Sequence, residues 1–227
     1  MPFSQPSDGN DRRVRVKICG LTTPEAATAA STAGADYLGF NFYPKSPRSI
    51  SIAGASAALA QLPKSVVNVA LVVNPEDSLI QELSRLPFDL LQLHGSEPPE
   101  RVTELREKTG LPVMKVVGIA DASDLEKITV YEPVADQLLV DAKPPRDAKL
   151  PGGNGIQFDW RLIADREWKK PWMLAGGLTP ANVGSAIQLT GARQVDVASG
   201  VEDAPGIKSP ALIRDFIEAA RRPTVTA

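Results

Sequence analysis

Short apolar runs alternate with segments of helical spacing along almost the whole chain. The runs are rich in Val, Ile and Leu and are bounded by glycine, proline or polar residues, which is typical of buried parallel strands. There are eight such runs, at residues 15–19, 37–42, 66–73, 90–94, 112–119, 137–142, 171–177 and 194–200. This pattern predicts eight strands, each followed by a segment with helical spacing.

The segments between the runs carry helix start signals. TTPEAATAA opens with threonine and proline, NPEDSLIQELSRL opens with Asn-Pro, and DASDLEKI opens with aspartate. In the last segment, SPALIRDFIEAARR, the apolar residues that recur at helical spacing are Leu212, Ile213, Phe216, Ile217 and Ala220. These segments are therefore predicted to be helices that follow strands.

Eight strand–helix units in 227 residues indicate a single-domain α/β protein that folds as a (β/α)8 TIM barrel. A doubly wound open sheet is the alternative, but that fold usually carries a G-x-G-x-x-G segment after its first strand. Here the first turn reads CGLTTPE, which lacks this segment. We expect the barrel over residues 14–222, a frayed tail at 1–13 and a short tail at 223–227.

Composition excludes several classes of function. The chain is 23% charged with a net charge of -2, so it lacks the basic excess of a nucleic-acid-binding protein. No apolar run approaches the roughly 20 residues of a membrane helix, and the polar start MPFSQPSDGNDRR is unlike a signal peptide, which predicts a cytoplasmic protein. One cysteine and one histidine provide neither an internal disulfide nor a structural zinc site.

The single cysteine ends the first predicted strand. Active sites of (β/α)8 barrels lie at the carboxyl ends of the strands, and Cys19 is at such an end. Because side chains alternate along a strand, Lys17 faces the interior below Cys19, and barrel closure offers it Asp196 of the eighth strand as a partner. The same lysine would favour a thiolate. The residues alone leave Cys19 open as either a small core side chain or a catalytic group.

Four more polar side chains lie at or just after predicted strand ends. Asp141 ends the sixth strand, where aspartate is unusual, and we favour a site residue over a turn or a cap. Arg48, with Lys45, follows the second strand, and arginine suits the capture of a carboxylate. His94 ends the fourth strand, across the barrel from Cys19, and we interpret it as a pocket wall or a structural histidine.

Glycine-rich segments predict a phosphate site. They are PGGNG (151–155), AGGL (175–178) and ASG (198–200). Glycine allows backbone N–H groups to approach an anion closely, and in barrels the loops after the seventh and eighth strands commonly bind phosphate. The second and third segments lie in those two loops, which favours a phosphorylated ligand.

Taken together, these segments resemble the phosphoribosylanthranilate isomerase family of tryptophan biosynthesis. The matching segments are VKICGLT, GADYLGFNFYPKSPRSIS, LLQLHGSE, LLVDAK with GGNGIQFDW, LAGGLTPANV and VDVASGVEDAPGIKS, in family order. The resemblance implies an Amadori rearrangement of a small phosphosugar, N-(5-phosphoribosyl)anthranilate, to 1-(2-carboxyphenylamino)-1-deoxyribulose 5-phosphate. It implies no metal, no cofactor, no nucleic acid and no membrane, and we expect a monomer or a homodimer.

The resemblance also implies a role for each candidate residue. Cys19 would be the general base, Asp141 the general acid, and Arg48 the ligand of the anthranilate carboxylate. The implied phosphate-binding residues are Gly153 and Gly155 in a mobile covering loop, Gly177, Ser199 and Gly200.

Two other functions fit parts of the pattern. The isomerase of histidine biosynthesis performs the same type of rearrangement with similar phosphate loops, but it has an aspartate at the end of its first strand, where this chain has Cys19. A phosphosugar-binding barrel without catalytic activity is the second alternative. The presence of Cys19, Asp141 and Arg48 argues against it.

Overall fold

A closed barrel of eight parallel strands forms the centre of the molecule. The computed structural model describes residues 13–143, 155 and 157–222. In these residues each barrel strand pairs with its neighbours in the chain, and β8 pairs with β1. The strands are β1 (Arg15–Cys19), β2 (Tyr37–Asn41), β3 (Val67–Val72), β4 (Leu90–Leu93), β5 (Val113–Ile119), β6 (Gln137–Ala142), β7 (Trp172–Leu174) and β8 (Gln194–Val197). The predicted (β/α)8 barrel is confirmed; residues 1–12 and 223–227 of the expected tails lie outside the described residues.

Helices surround the barrel, with irregular connections near its last strands. The α-helices are α1 (Pro24–Thr32), α2 (Ile52–Leu59), α3 (Asp77–Leu83), α4 (Pro99–Thr109), α5 (Glu126–Tyr131), α6 (Val183–Thr190) and α7 (Pro210–Arg221). Between β6 and β7 the described residues contain a short 3₁₀-helix, Trp160–Ile163. After β8 the chain forms another, Ser199–Val201, and then a hairpin of β9 (Glu202–Ala204) and β10 (Ile207–Lys208) before α7.

Two of the three predicted helix starts are confirmed, and the third helix begins later in the chain than its start signal. Thr23 caps α1, since its side chain accepts from Ala26 N, and Asp121 caps a 3₁₀ turn that leads into α5. In contrast, α3 begins only at Asp77. Asn74 has a φ of 45° and its side chain accepts from Ser96 N, so this residue belongs to a loop contact and does not begin the helix.

The alternation of side chains divides the core into two layers. Outward residues such as Val16 and Ile18 of β1 are fully buried between the strands and the helices. Inward apolar residues form a smaller cluster on the barrel axis: Tyr37, Val69, Leu90, Met114, Val116, Leu139, Met173 and Ala175. Burial of each large apolar side chain in this way contributes about 1.5–3 kcal/mol to the free energy of unfolding.

Polar side chains close the amino-terminal end of the barrel interior. Tyr37 Oη donates to Gln194 Oε1 at 2.7 Å, and Gln137 Nε2 donates to the same oxygen at 3.1 Å. The Arg15 guanidinium lies over the Tyr37 ring, 4.4 Å from its centroid. Burial raises the pKa of Tyr37 to about 12, so the hydroxyl keeps its proton and acts as a donor. Side chains therefore fill this end of the interior, and active sites of this fold lie at the opposite end, where the strands have their carboxyl ends.

Candidate active site

Cys19 lies at the end of β1, above a buried ion pair. The thiol is 5% exposed and faces the barrel interior. Below it, Lys17 Nζ donates to Asp196 Oδ1 at 2.9 Å, and the Lys17 side chain is fully buried. The register of β1 and β8 sets Lys17 directly beside Asp196. The predicted Lys17–Asp196 pair is confirmed.

The net effect of the surroundings is to keep the thiol protonated. Burial raises the pKa of the Cys19 thiol, and the charge of Asp196 adds to this increase. Lys17 acts in the opposite direction by its charge and a hydrogen bond, as the sequence predicted, and Lys208 also lowers the pKa. Although burial lowers the pKa of Lys17, the charge and the hydrogen bond of Asp196 raise it above its ordinary value, so Lys17 is charged. Burial outweighs the two lysines, and the thiol of the unliganded protein is neutral near pH 7.

Gly39 of β2 provides the space that the thiol occupies. A Cβ atom at Gly39 would lie 2.9 Å from Cys19 Sγ and 3.2 Å from Lys17 Nζ. Any side chain at this position would displace one or both groups. The positions of thiol and ammonium therefore depend on a residue of the neighbouring strand.

Asp141 lies near the end of β6 with an oriented carboxylate. The residue is 8% exposed. Its Oδ1 accepts from Ala142 N at 2.8 Å, whereas its Oδ2 lies 3.5 Å from His94 Nε2. A Cβ at Gly176, which has a φ of 90°, would lie 3.2 Å from Oδ1. The loop after β7 thus packs against the carboxylate and leaves Oδ2 on the side of His94.

His94 reaches towards Asp141 from the end of β4. Its Nδ1 lies 3.5 Å from Gln92 Nε2, and its Nε2 has no hydrogen-bond partner within the described part of the chain. No hydrogen bond or ion pair joins it to Cys19 among these residues. The structure therefore places His94 beside the carboxylate, a neighbour that the sequence did not indicate.

A buried network holds the loop that carries His94. Lys115 Nζ lies 2.9 Å from Glu97 Oε2, and both side chains are 1% exposed. Glu97 also accepts from Asn74 N at 2.7 Å and from Gly95 N at 3.0 Å. A Cβ at Gly95 would lie 2.6 Å from Glu97 Oε1. Because Gly95 follows His94 directly, this network determines where the imidazole lies.

Arg48 forms a two-point ion pair after β2, whereas Lys45 in the same loop is exposed. The Arg48 side chain is 9% exposed, and its Nε and Nη2 donate to Oε1 and Oε2 of Glu202, both at 2.8 Å. Lys208 Nζ donates to the same Glu202 Oε1 at 2.7 Å and to Ala198 O at 2.9 Å. Burial raises the pKa of Glu202, but the two cations hold it below its usual range.

Glu202 and Lys208 were missed in the sequence. The available signal is EDAPGIK, in which an acidic and a basic residue flank a Pro-Gly turn just after the last strand. This spacing indicates a hairpin that can bring the two charges together.

The loops after β7 and β8 are in direct contact. Gly177 has a φ of 61°, and its carbonyl accepts from Asn182 Nδ2 at 2.9 Å. A Cβ at Gly200 would collide with the carbonyl oxygen of Leu178. Glycine is thus required at both positions, because of backbone conformation at Gly177 and of close approach at Gly200.

The segment before the Trp160–Ile163 helix reaches the same loops. Gly155 has a φ of 69°, and a Cβ there would lie 3.8 Å from Ser199 Oγ. The four described candidates for phosphate binding therefore converge at the ends of β7 and β8: Gly155, Gly177, Ser199 and Gly200. The fifth, Gly153, lies outside the described residues.

Metal clusters and membrane-spanning helices are both absent from the part of the chain that the structure describes. It holds no group of three or more His, Cys, Asp or Glu side chains arranged to bind a metal ion. None of its helices is both long and apolar enough to cross a membrane.

Comparison with known proteins identifies the family. A family model described as N-(5'phosphoribosyl)anthranilate (PRA) isomerase matches residues 16–219, nearly the whole barrel. The chain belongs to this isomerase family. N-(5'-phosphoribosyl)anthranilate isomerase of Ruegeria sp. (strain TM1040) is 57% identical over 210 residues, which cover 92% of this chain and 98% of the relative. The enzyme of Paracoccus denitrificans (strain Pd 1222) is 56% identical over 211 residues, with the same coverage.

Solved structures of phosphoribosylanthranilate isomerases share the fold. The crystal structure from Thermotoga maritima has a TM-score of 0.82 at 39% identity and covers 91% of this chain and 98% of its own. A crystal structure of a phosphoribosylanthranilate isomerase in complex with reduced 1-(o-carboxyphenylamino)-1-deoxyribulose 5-phosphate has a TM-score of 0.78 at 38% identity, with the same coverage. The family resemblance of the sequence is confirmed, and the chain is an isomerase.

Proposed function

We propose that the protein converts N-(5-phosphoribosyl)anthranilate into 1-(2-carboxyphenylamino)-1-deoxyribulose 5-phosphate, a step of tryptophan biosynthesis in the cytoplasm. The observation that carries the proposal is the placement of a thiol and a carboxylate, Cys19 and Asp141, at inward strand ends of one barrel mouth. The family match over residues 16–219 supports this substrate.

Asp141 acts first, as the general acid. It donates a proton to the ring oxygen of the ribose, the C1–O bond breaks, and the ring opens to a protonated Schiff base between C1 and the anthranilate nitrogen. Because Oδ1 accepts from Ala142 N, Oδ2 is the oxygen that is available to carry this proton. Proton transfer from a positioned carboxyl group typically accelerates such a step by about 10²–10⁴-fold.

Cys19 then acts as the general base. The protonated Schiff base draws electrons from the C2–H bond, so Sγ removes that proton, C1 and C2 become joined by a double bond, and the nitrogen becomes neutral. Protonation at C1 and loss of the O2 proton give the ketone. The positive charge of the intermediate also lowers the pKa of the Cys19 thiol, which burial raises in the free protein. The substrate provides its own electron sink, and the chemistry requires no metal or cofactor.

Two anion-binding regions align the substrate between these groups. Arg48 binds the anthranilate carboxylate, and Gly155, Gly177, Ser199 and Gly200, together with Gly153, bind the phosphate. The contact between the loops after β7 and β8 supports the phosphate site. A ligand held at both ends has its C1 and C2 atoms confined to the mouth.

Lys17 should set the pH at which the thiolate forms. Since Lys17 lowers the pKa of Cys19, Lys17→Met is expected to raise that pKa further and to move the rising limb of the kcat/KM profile to higher pH. The measurement is kcat/KM against pH in both proteins. The matched variant Lys17→Met/Asp196→Asn also removes the opposing charge of Asp196, and its limb should lie between the other two. An unmoved limb in Lys17→Met would remove Lys17 from the mechanism.

Gly39→Ala should displace the thiol without unfolding the barrel. The new Cβ would meet Cys19 Sγ at 2.9 Å, and a displacement of this kind costs about 10²-fold in kcat. Steady-state kinetics and thermal unfolding measure the effect. Gly184→Ala is the control, because the atom nearest to its Cβ, Ala219 O, is 3.9 Å away and the change lies in helix α6. Unchanged kcat in Gly39→Ala would show that the thiol does not need this space.

Turnover of freshly prepared N-(5-phosphoribosyl)anthranilate, followed by loss of its fluorescence, tests the proposed function directly. The gene should also restore growth to a tryptophan auxotroph that lacks the isomerase. Rescue of a histidine auxotroph without its isomerase, in place of the tryptophan strain, would favour the histidine-pathway reaction. A folded protein with no turnover and no rescue would favour the binding barrel without catalysis.

A further inference from the structure

We propose that Glu202 is a positioning residue for substrate recognition. It binds one edge of the Arg48 guanidinium and leaves the other edge for the carboxylate of the substrate. The inference rests on the proposed function, because it takes the anthranilate carboxylate as the ligand of Arg48. It adds a role for the β9–β10 hairpin, which carries Glu202.

The hydrogen bonds of the pair divide the guanidinium into two edges. Its five N–H bonds form a planar fork with one carboxylate-binding edge at Nε and Nη2 and another at Nη1 and Nη2. Glu202 occupies the first edge, with both distances at 2.8 Å. Within the described residues, no protein atom accepts a hydrogen bond from Nη1. The second edge is therefore available, and the substrate carboxylate can bind there without displacing Glu202.

Packing holds the rest of the Arg48 side chain in one place. A Cβ at Gly20 would lie 2.7 Å from Arg48 Cδ, so the aliphatic part of the arginine lies directly on this glycine. Arg48 N donates to Ser46 Oγ at 3.1 Å, and Thr22 Oγ1 donates to Gly206 O, also at 3.1 Å. The loops after β1 and β2 and the hairpin are thus joined around Arg48.

This arrangement connects carboxylate recognition to the reacting atoms. Gly20 is the residue after Cys19, so the arginine that holds the aromatic end of the substrate lies against the same loop as the thiol. An arginine free to rotate would bind the carboxylate in several places, and only some would present C2 to Sγ. Glu202 therefore limits the bound substrate to one position.

Lys208 prevents Glu202 from cancelling the attraction for the substrate. Arg48 and Glu202 alone sum to zero charge. Burial lowers the pKa of Lys208, whereas Glu202, whose Oε1 is 2.7 Å away, acts in the opposite direction, and the protonated lysine gives the cluster one net positive charge. The Lys208 side chain is 1% exposed and that of Glu202 is 4% exposed, so water screens these charges weakly. The cluster keeps a positive charge for an incoming anion while Arg48 is held still.

The test compares the natural substrate with one that lacks the carboxylate. Wild type, Glu202→Gln, Glu202→Asp and Asp203→Asn are assayed with N-(5-phosphoribosyl)anthranilate and with N-(5-phosphoribosyl)aniline, which is made from aniline and ribose 5-phosphate. Asp203→Asn is the matched control, since it removes the same charge from an exposed position of the same hairpin. Thermal unfolding is measured for every variant.

For Glu202→Gln we expect kcat/KM for the anthranilate substrate to fall about tenfold or more. KM should rise because Arg48 is held less firmly, and kcat should fall because not every bound position presents C2 to Sγ. The kcat/KM for the aniline substrate should not change, because Arg48 has no carboxylate to bind. Glu202→Asp keeps the charge and should recover part of the lost affinity, and Asp203→Asn should match wild type with both substrates.

Two results would overturn the proposal. An equal loss of kcat/KM with both substrates would mean that Glu202 only supports the hairpin, and a lower KM in Glu202→Gln would mean that Glu202 competes with the substrate for Arg48. Glu202→Asp decides the matter if Glu202→Gln does not fold. Failure of the wild type to convert the anthranilate substrate would refute the proposed function instead, which keeps the two failures distinct.

Discussion

Cys19→Ala is expected to lower kcat by about 10²–10⁴-fold, which is the contribution of a positioned general base. The methyl group of alanine cannot remove the C2 proton, and the other side chain close to Gly39, Lys17, is protonated and cannot accept it. KM should change little, because the anion-binding regions at Arg48 and at the glycine loops do not involve the sulfur. Steady-state kinetics with N-(5-phosphoribosyl)anthranilate measure both constants.

The fold should persist in Cys19→Ala. The substitution removes one sulfur atom at the barrel mouth, and large losses of stability come from larger cavities or unpaired charges. Cys19→Ser is the companion variant: it restores a polar atom of similar size, but a hydroxyl ionises far less readily than a thiol, so its kcat should be comparably low. A near-normal kcat in either variant, with an unchanged unfolding temperature, would exclude Cys19 as the base.

Asp141→Asn is the second substitution with a large expected effect, again about 10²–10⁴-fold in kcat. Asparagine has the size of aspartate, and its Oδ1 can still accept from Ala142 N, so the backbone of β6 keeps its conformation. The amide has no acidic proton to give to the ring oxygen. Stopped-flow or steady-state turnover should therefore show slow ring opening with almost unchanged substrate affinity.

Asp203→Asn is the matched control for this change too, because it makes the same replacement of a carboxylate by an amide at an exposed position outside the mouth. It should turn over like wild type. If Asp141→Asn does the same, the proton of the first step comes from another group. His94, whose Nε2 lies 3.5 Å from Asp141 Oδ2, would then be the first residue to test.

The features that could be predicted from the sequence depend on the regular repeat of apolar runs and on the alternation of side chains along each strand. Eight apolar runs predict eight strands, and closure of the barrel makes β8 the neighbour of β1. Alternation then places Lys17 and Cys19 on the inward face, with Asp196 in register with Lys17. Each step uses a regular geometry, which is why the buried pair can be inferred without coordinates.

The features that could not be predicted depend on irregular backbone. Glu202 reaches Arg48 because the β9–β10 hairpin folds back over the loop after β2, and the conformation of that hairpin depends on contacts far away in sequence, such as Thr22 with Gly206. His94 approaches Asp141 because buried Glu97 holds the loop after β4. Charged loop residues are usually solvated, so nothing in the sequence marks Glu97 as buried.

The ionisation state of Cys19 is another feature that could not be predicted from the sequence. Its neighbours could be named from strand parity, and the effect of Lys17 has the predicted direction. Burial nevertheless has the larger effect on the pKa of the thiol. The extent of burial is a property of the assembled barrel mouth, which no local pattern contains.

The shielding of Cys19 has a consequence for the lifetime of the protein. Oxidants and alkylating agents attack thiolates that solvent can reach. At rest the thiol is only 5% exposed and neutral, so this chain's one cysteine is protected from irreversible oxidation. In the proposed mechanism, the thiol ionises only while the substrate covers the sulfur. The protein can thus depend on a chemically vulnerable atom without exposing it between turnovers.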